Sequence, residues 1–196
     1  MKKIGITLGI ILLVLLGIYQ SFKHFQNTAV QLQESVSAQW ANVESAYQRR
    51  ADLIPNLVNT VKGYAKHEKE TLEAVIKARA SATQVKVDPT NLTPEQLRQY
   101  QQAQQGLSGA LSRLLLVVER YPELKADKHF MELQSQLEGT ENRIKVERDR
   151  FNKAVKEYNT FIRQFPNSIW ASILGFKPMT YFESEKGAEK APKVEF

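Results

Sequence analysis

Two stretches concentrate the side chains that could do chemistry. The first surrounds a proline: Arg49, Arg50, Asp52, Pro55, Asn56 and Asn59 fall within "RRADLIPNLVN". The second is "EGTENRIKVER", which carries Glu138, Thr140, Glu141, Asn142, Arg143, Glu147 and Arg148. Both interrupt apolar patterns of helical spacing. Opposite charges at such positions either pair with each other, hold a charged ligand or face water. Pro55 adds a specific demand: it has no N–H, so the carbonyl of Ala51 loses its helical partner. Asn56, Arg49 or a water is expected to satisfy it. The expectation is a packing bend, with the two interruptions meeting and Arg50 at least half buried against Glu141, Glu147 or another acid of that helix. Two separate solvated faces, or a kink that exposes a site, are the competing readings.

Other chemistry finds little support. A di-iron bundle site needs inward glutamates and repeated Glu-x-x-His pairs; among His24, His67 and His129 none provides one, and His129 with Glu132 reads as a surface pair. No nucleophile elbow, H-E-x-x-H or phosphate loop occurs. Gly106 and Gly109 lie in a helical pattern and read as close-packing positions. With no cysteine, thiolate catalysis, zinc–thiolate sites and disulfides are excluded. No catalytic residue, cofactor or metal site is expected, and the chain does not read as an enzyme. The net charge is +6, yet setting aside Lys2, Lys3 and Lys23 leaves 24 basic residues against 21 acidic ones, interspersed. Nucleic-acid binders gather their charge in a stripe, so nucleic acid is not an expected partner.

The elements that position these residues are helices. "IGITLGIILLVLLGI", Ile4 to Ile18, is uncharged; at 15 residues it falls short of the ~20 of a full span. Tyr19, Phe22, Lys23 and Phe25 extend it in a form the membrane interface accepts. No A-x-A-like cleavage site follows, so residues 1–25 are expected to be an uncleaved signal anchor in a lipid bilayer rather than a removed signal peptide. Lys2 and Lys3 before the span place the body on the extracytoplasmic side by the positive-inside rule. Gly5 and Gly9 form a G-x-x-x-G pair, which admits a homo-oligomer.

Residues 26–176 then read as a helical-bundle domain, and 177–196 as an irregular tail. From Asn27 to Thr83 a seam of three-and-four spacing runs through Val36, Trp40, Tyr47, Ile54, Val61, Tyr64, Leu72, Val75 and Ile76, with Arg50, Glu68 and Arg79 on it. It predicts one unbroken helix, with a break near Gly63 to His67 as the alternative. Thr93-Pro94-Glu95-Gln96 is a helix start with capping box; helix two runs to about Arg120, its glutamines forming a solvated face. Pro122 marks a corner. Helix three covers about Asp127 to Phe165, and "SIWASILGF" suggests a short fourth helix. The fold class is all-α: an elongated antiparallel helical bundle of three long helices and a short C-terminal one, four-helix-bundle-like, with an N-terminal transmembrane helix. In the tail, Tyr181, Phe182 and Phe196 are docking candidates. Tyr181 and Phe182 are expected to pack on the bundle, and 184–196 to be weakly ordered alone and to bind a partner.

Three stretches carry a resemblance: "QWANVESAYQRRADLIPNLVNTVKGYAKHEKETL", "YPELKADKHFMELQSQLEGTENRIKVERDRFNKAVKEYN" and "FKPMTYFESEKGAEKAPKVEF". In this order, after an apolar segment, they resemble the LemA family. The resemblance implies a bacterial, membrane-anchored, single-pass protein with an antiparallel helical body and an unsettled biochemical role; it supplies no catalytic residues. The leading functional expectation is an envelope scaffold or adaptor with an unknown envelope protein partner. A ligand-binding module and an envelope hydrolase are the alternatives.

Overall fold

The computed structural model describes residues 2–183. Its elements are α1 (Lys2–Tyr64), α2 (Lys69–Gln84), α3 (Pro94–Val118), α4 (Pro122–Lys125), α5 (Lys128–Arg163) and α6 (Asn167–Leu174), and no strand occurs among the described residues. The protein is all-α. α1 is a single helix of 63 residues, ~95 Å at 1.5 Å per residue. Its apolar first part is long enough to cross a membrane and is not covered by the rest of the chain.

α5 lies antiparallel along α1. Phe25 stacks on Phe161 at 5.6 Å, Trp40 meets Phe151 at 5.4 Å, Arg50 meets Glu141, and the Tyr64 hydroxyl donates to Asp127 at 2.9 Å. This fixed register holds from one end of the body to the other. α3 begins as its sequence dictates: Thr93 accepts from the Gln96 N–H at 3.2 Å, and Gln96 accepts from the Thr93 N–H at 3.0 Å. Asp127 caps α5 by accepting from the Phe130 N–H at 2.9 Å.

The predicted unbroken first helix is corrected by the structure. The chain reverses at 65–68, and α2 returns antiparallel to α1. Glu68 leaves the seam and accepts from Arg120 (2.9 Å) and the Tyr121 hydroxyl (3.1 Å). A carboxylate that would have interrupted an apolar stripe thus gains two donors at the corner. Ala65 is buried there, and Leu72 and Val75 turn inward, while Ile76, expected on the seam, faces out. α2 then pairs antiparallel with α3: the Gln104 amide donates to the Ala82 carbonyl at 3.1 Å at the other end. The far half of the body is therefore an up-down-up-down four-helix bundle of α1, α2, α3 and α5. The near half is α1 and α5 completed by α6, the start of α3, and residues 176–182.

The reversal also answers the demand set by Pro55. The stranded carbonyl of Ala51 accepts from Arg79 Nε at 2.7 Å. Neither Asn56 nor Arg49 supplies the bond; a cation delivered by α2 does. Hydrogen bonds to charged groups contribute ~1.5–3 kcal/mol, so Arg79→Ala is expected to cost about that. In a Pro55→Ala background, where the helix supplies its own N–H, the same change should cost less. A double-mutant cycle by urea unfolding should give a coupling of ~0.5–2 kcal/mol; strict additivity would refute the pairing.

Two apolar cores fill the body. The near core is aromatic, with Phe25, Trp40, Tyr47, Tyr100, Phe151 and Tyr158; the far core is aliphatic, with Ile54, Leu57, Leu107, Leu114 and Leu137. Burial pushes the Tyr100 phenol above the ordinary tyrosine range, with nearby Tyr47 and Glu44 adding to it, and burial raises Tyr158 as well. A phenol raised in the folded state keeps its proton while the unfolded chain ionises near pH ~10. Its contribution to stability is therefore complete below about pH 10 and is lost as pH rises towards the folded value. Denaturation at increasing alkaline pH should show this loss, and Tyr100→Phe should flatten it.

Candidate functional site

Between the two cores lies one polar layer. On α1 it is Arg50, one turn from Tyr47 on one side and from Ile54 on the other. On α3 it is Gln104 and Ser108, and on α5 Thr140 and Glu141. Arg50 is only 2% exposed. Its Nη1 donates to Ser108 Oγ at 2.8 Å and to Glu141; its Nη2 donates to the Gln104 side-chain and main-chain oxygens at 2.8 and 3.2 Å. The guanidinium also sits 5.2 Å from the Tyr47 ring centre, a favourable cation–π distance. Glu141 closes the layer from the solvent side, with 47% of its side chain exposed.

Of the residues expected to cluster, the structure brings Arg50 and Glu141 together. Glu147 lies two turns along α5, fully buried, and accepts from Arg143 Nε (2.6 Å) and Arg150 Nη1 (3.0 Å); Arg143 itself is exposed. Arg49, Asp52, Pro55, Asn56, Asn59, Glu138 and Asn142 face solvent. Asp52 there accepts from Gln48 at 2.7 Å. Thr140 is buried and bonds back to the Gln136 carbonyl at 2.7 Å. Gln104, read from sequence as part of a solvated face, is instead buried. The available signal was its spacing, four residues after Tyr100 and three before Leu107, which puts it on the α3 seam.

The layer has little room. The space beside Arg50, lined by Tyr47, Gln101, Gln104, Ser108 and Glu141 among others, is about 30 Å3, enough for a water. An arginine keeps its charge and offers no proton to transfer, and the Ser108 hydroxyl lies within donating distance of both the Gln104 carbonyl (3.3 Å) and the Glu141 carboxylate (3.5 Å). What the arrangement can do is fix register: Arg50 finds its acceptors only when α1, α3 and α5 are at one height. Among the described residues no group of three or more His, Asp or Glu side chains is placed to hold a metal ion. Gly106 and Gly109 are also reassigned. A Cβ added at either meets nothing within 4 Å, so they do not serve close packing within this chain. They line an open groove between α2 and α3 of about 600 Å3, with Ala74, Ala78 and Ala110.

The tail forms a second built feature. Residues 177–183 run extended along α5, held by two asparagines. Asn159 accepts from the Met179 N–H (2.8 Å) and donates to the Met179 carbonyl (2.9 Å). Asn152 does the same to Phe182, at 2.8 and 3.1 Å. The spacings match: seven helical residues rise ~10.5 Å, and three extended residues span ~10 Å. Phe182 is 4% exposed, stacks on Trp40 at 5.7 Å, and meets Phe151 at 5.3 Å. Arg148 covers it at 5.0 Å and donates to the Glu183 carbonyl at 3.0 Å. Tyr181, expected to pack, is 40% exposed, because an extended chain alternates its sides. Phe196 lies outside the described residues. Asn152 and Asn159 were not singled out from sequence; their seven-residue separation was the signal.

These features define a class: a helical body, keyed by a buried arginine layer and strapped by its own tail, that continues unbroken from a helix fit to cross a membrane. The chain belongs to the LemA family, whose model matches residues 39–196. It is 28% identical to the magnetosome protein MamQ of Magnetospirillum gryphiswaldense over 208 aligned positions, covering 97% of this chain and 76% of that one. It is 30% identical over 185 positions to magnetosome protein MamQ 1 of Paramagnetospirillum magneticum, covering 86% and 68%. It is 24% identical to protein LemA of Metamycoplasma hominis over 181 positions, covering 92% and 76%. Family and first helix together fit a membrane protein.

Proposed function

We propose that this protein is a non-enzymatic scaffold or adaptor of the bacterial envelope, anchored by a single span, with its body on the extracytoplasmic side. The observation that carries the reading is the continuity of α1, which passes from the apolar segment into both cores without a break. A load or partner held by the body is thereby coupled to the membrane through one stiff rod. The buried charges support the same reading, since both terminal nitrogens of Arg50 and one carboxylate oxygen of Glu147 are engaged by groups of the chain itself. We assign partner binding to residues 184–196, which follow directly from the strap and have the charged composition of a segment that folds on a partner.

The test is a pair of truncations in native membranes, read by site-specific photocrosslinking and melting. Removing 184–196 should abolish a discrete protein adduct and leave the melting temperature nearly unchanged. Retention of that adduct by the truncated chain would sink the assignment. A ligand-binding role is the second reading, favoured by an open groove of about 630 Å3 between residues 90–94 and 174–180. Co-purification of a small molecule released by substitutions at Asn91 or Thr180, with no protein adduct, would select it.

A further inference from the structure

The end of the body nearest the apolar segment carries an exposed hydrophobic surface that neither core uses. Phe165 is 83% exposed, Ile169 49% and Ile173 67%. Ile169 and Ile173 are four residues apart on α6 and so share one face. The other face of α6 is committed: Ala171 is buried in the near core, and Trp170 packs edge-on against Phe22 at 5.6 Å while its Nε1 donates to Ser21 Oγ at 3.1 Å. Just beyond α6, Phe176 meets Phe25 edge-on at 5.5 Å.

These contacts fix the height of α6 beside residues 21–25 of α1. The apolar run of α1 ends at Ile18, three residues or ~4.5 Å below Ser21 along the same helix. A bilayer's polar layer is ~5–7 Å deep on each side of its hydrocarbon core. α6 therefore stands at the headgroup boundary, the depth at which interfacial helices bury an apolar face ~5–10 Å. Charge agrees with the placement. Residues 19–33 and 158–182 at this end contain Lys23, Arg163 and Lys177 and no aspartate or glutamate, and the adjoining 85–93 loop adds one lysine, Lys86, and one acid, Asp88, so this end stays net positive. Such a collar is attracted to anionic headgroups, and a tryptophan is a common anchor at this level.

We propose that α6 is an interfacial helix, with Phe165, Ile169 and Ile173 inserted into the surface of an anionic bilayer. This gives the body a second hold on the membrane, beside the anchor on whose reading the inference rests. Two separated holds set the tilt of the α1 rod, which a single span leaves free.

The absence of cysteine allows single labels. Leu12→Cys, Ile169→Cys, Ile173→Cys and Ile76→Cys would each carry an NBD fluorophore in the full chain. The chain would be reconstituted in vesicles of phosphatidylcholine and phosphatidylglycerol containing acyl-chain nitroxide lipids. Ile76 is the control, 52% exposed but on the far half. Quenching at 169 and 173 should exceed that at 76 several-fold, and quenching at 12 should be strong. Quenching at 12 alone would overturn the inference and leave the anchor standing. No quenching at 12 would overturn the anchor and the inference with it. Blue-shifted but unquenched labels at 169 and 173 would show that protein, such as a second copy, covers α6, and would also overturn it.

Discussion

Arg50→Ala is expected to be among the most destabilising single substitutions in the body, by ~3–5 kcal/mol. The magnitude follows from breaking a buried charge network while leaving its partners in place. Gln104 Oε1 would lose its guanidinium donor, and a cavity would open between the two cores. Glu141→Ala should cost distinctly less, because its carboxylate is half exposed and Arg50 retains Gln104 and Ser108. Arg50→Lys should fall between the two, since an ammonium cannot reproduce the forked contacts to two helices. Lys77→Ala, on an exposed face of α2, should stay within ~0.5 kcal/mol of the parent. Urea unfolding of the four variants checks the order. Equal stability of the Arg50→Ala and Lys77→Ala proteins would show that the layer does not hold the helices in register.

Phe182→Ala should destabilise by ~3–5 kcal/mol, the range for removing a buried phenylalanine. Its ring closes the near core against Trp40 and Phe151, so the loss should also shift the Trp40 emission towards that of a wetter indole. Asn152→Ala should act in the same direction by ~1–3 kcal/mol, because it strips partners from the backbone of Phe182. Tyr181→Ala should be close to neutral. Removing residues 179–196 should therefore lower the melting temperature strongly, whereas removing 184–196 should not. If Phe182→Ala melts with Tyr181→Ala, the strap contributes nothing to the fold.

Much of the architecture is dictated by the chain locally. The apolar run up to Ile18, the cap at Thr93 with Pro94 and Gln96, the start of α5 near Asp127, and the apolar seam along α5 each depend on residues within a turn or two. Such signals survive in the sequence because capping, periodicity and hydropathy are short-range. The pairing of Arg50 with Glu141 was also foreseeable, since a charge on an apolar seam must find an opposite charge on the seam it faces.

Tertiary structure decided the rest. The seam has the same spacing whether the chain continues past Tyr64 or turns back, so periodicity could not distinguish the two. The choice rests on Glu68, whose donors, Arg120 and Tyr121, lie more than fifty residues away. Once α2 had returned, Arg79 reached the carbonyl that Pro55 had stranded, a partner no local reading could supply. The glutamine run masked Gln104, whose spacing from Tyr100 and Leu107 places it on the α3 seam but does not say that Arg50 stands at the same height to receive it. Asn152 and Asn159 look like ordinary helix-surface residues until an extended segment lies against them in matching register. In each case helical spacing sets the face on which a polar group stands, whereas its role is fixed by which distant backbone or charge is brought within hydrogen-bond reach, and spacing along one chain does not name that partner.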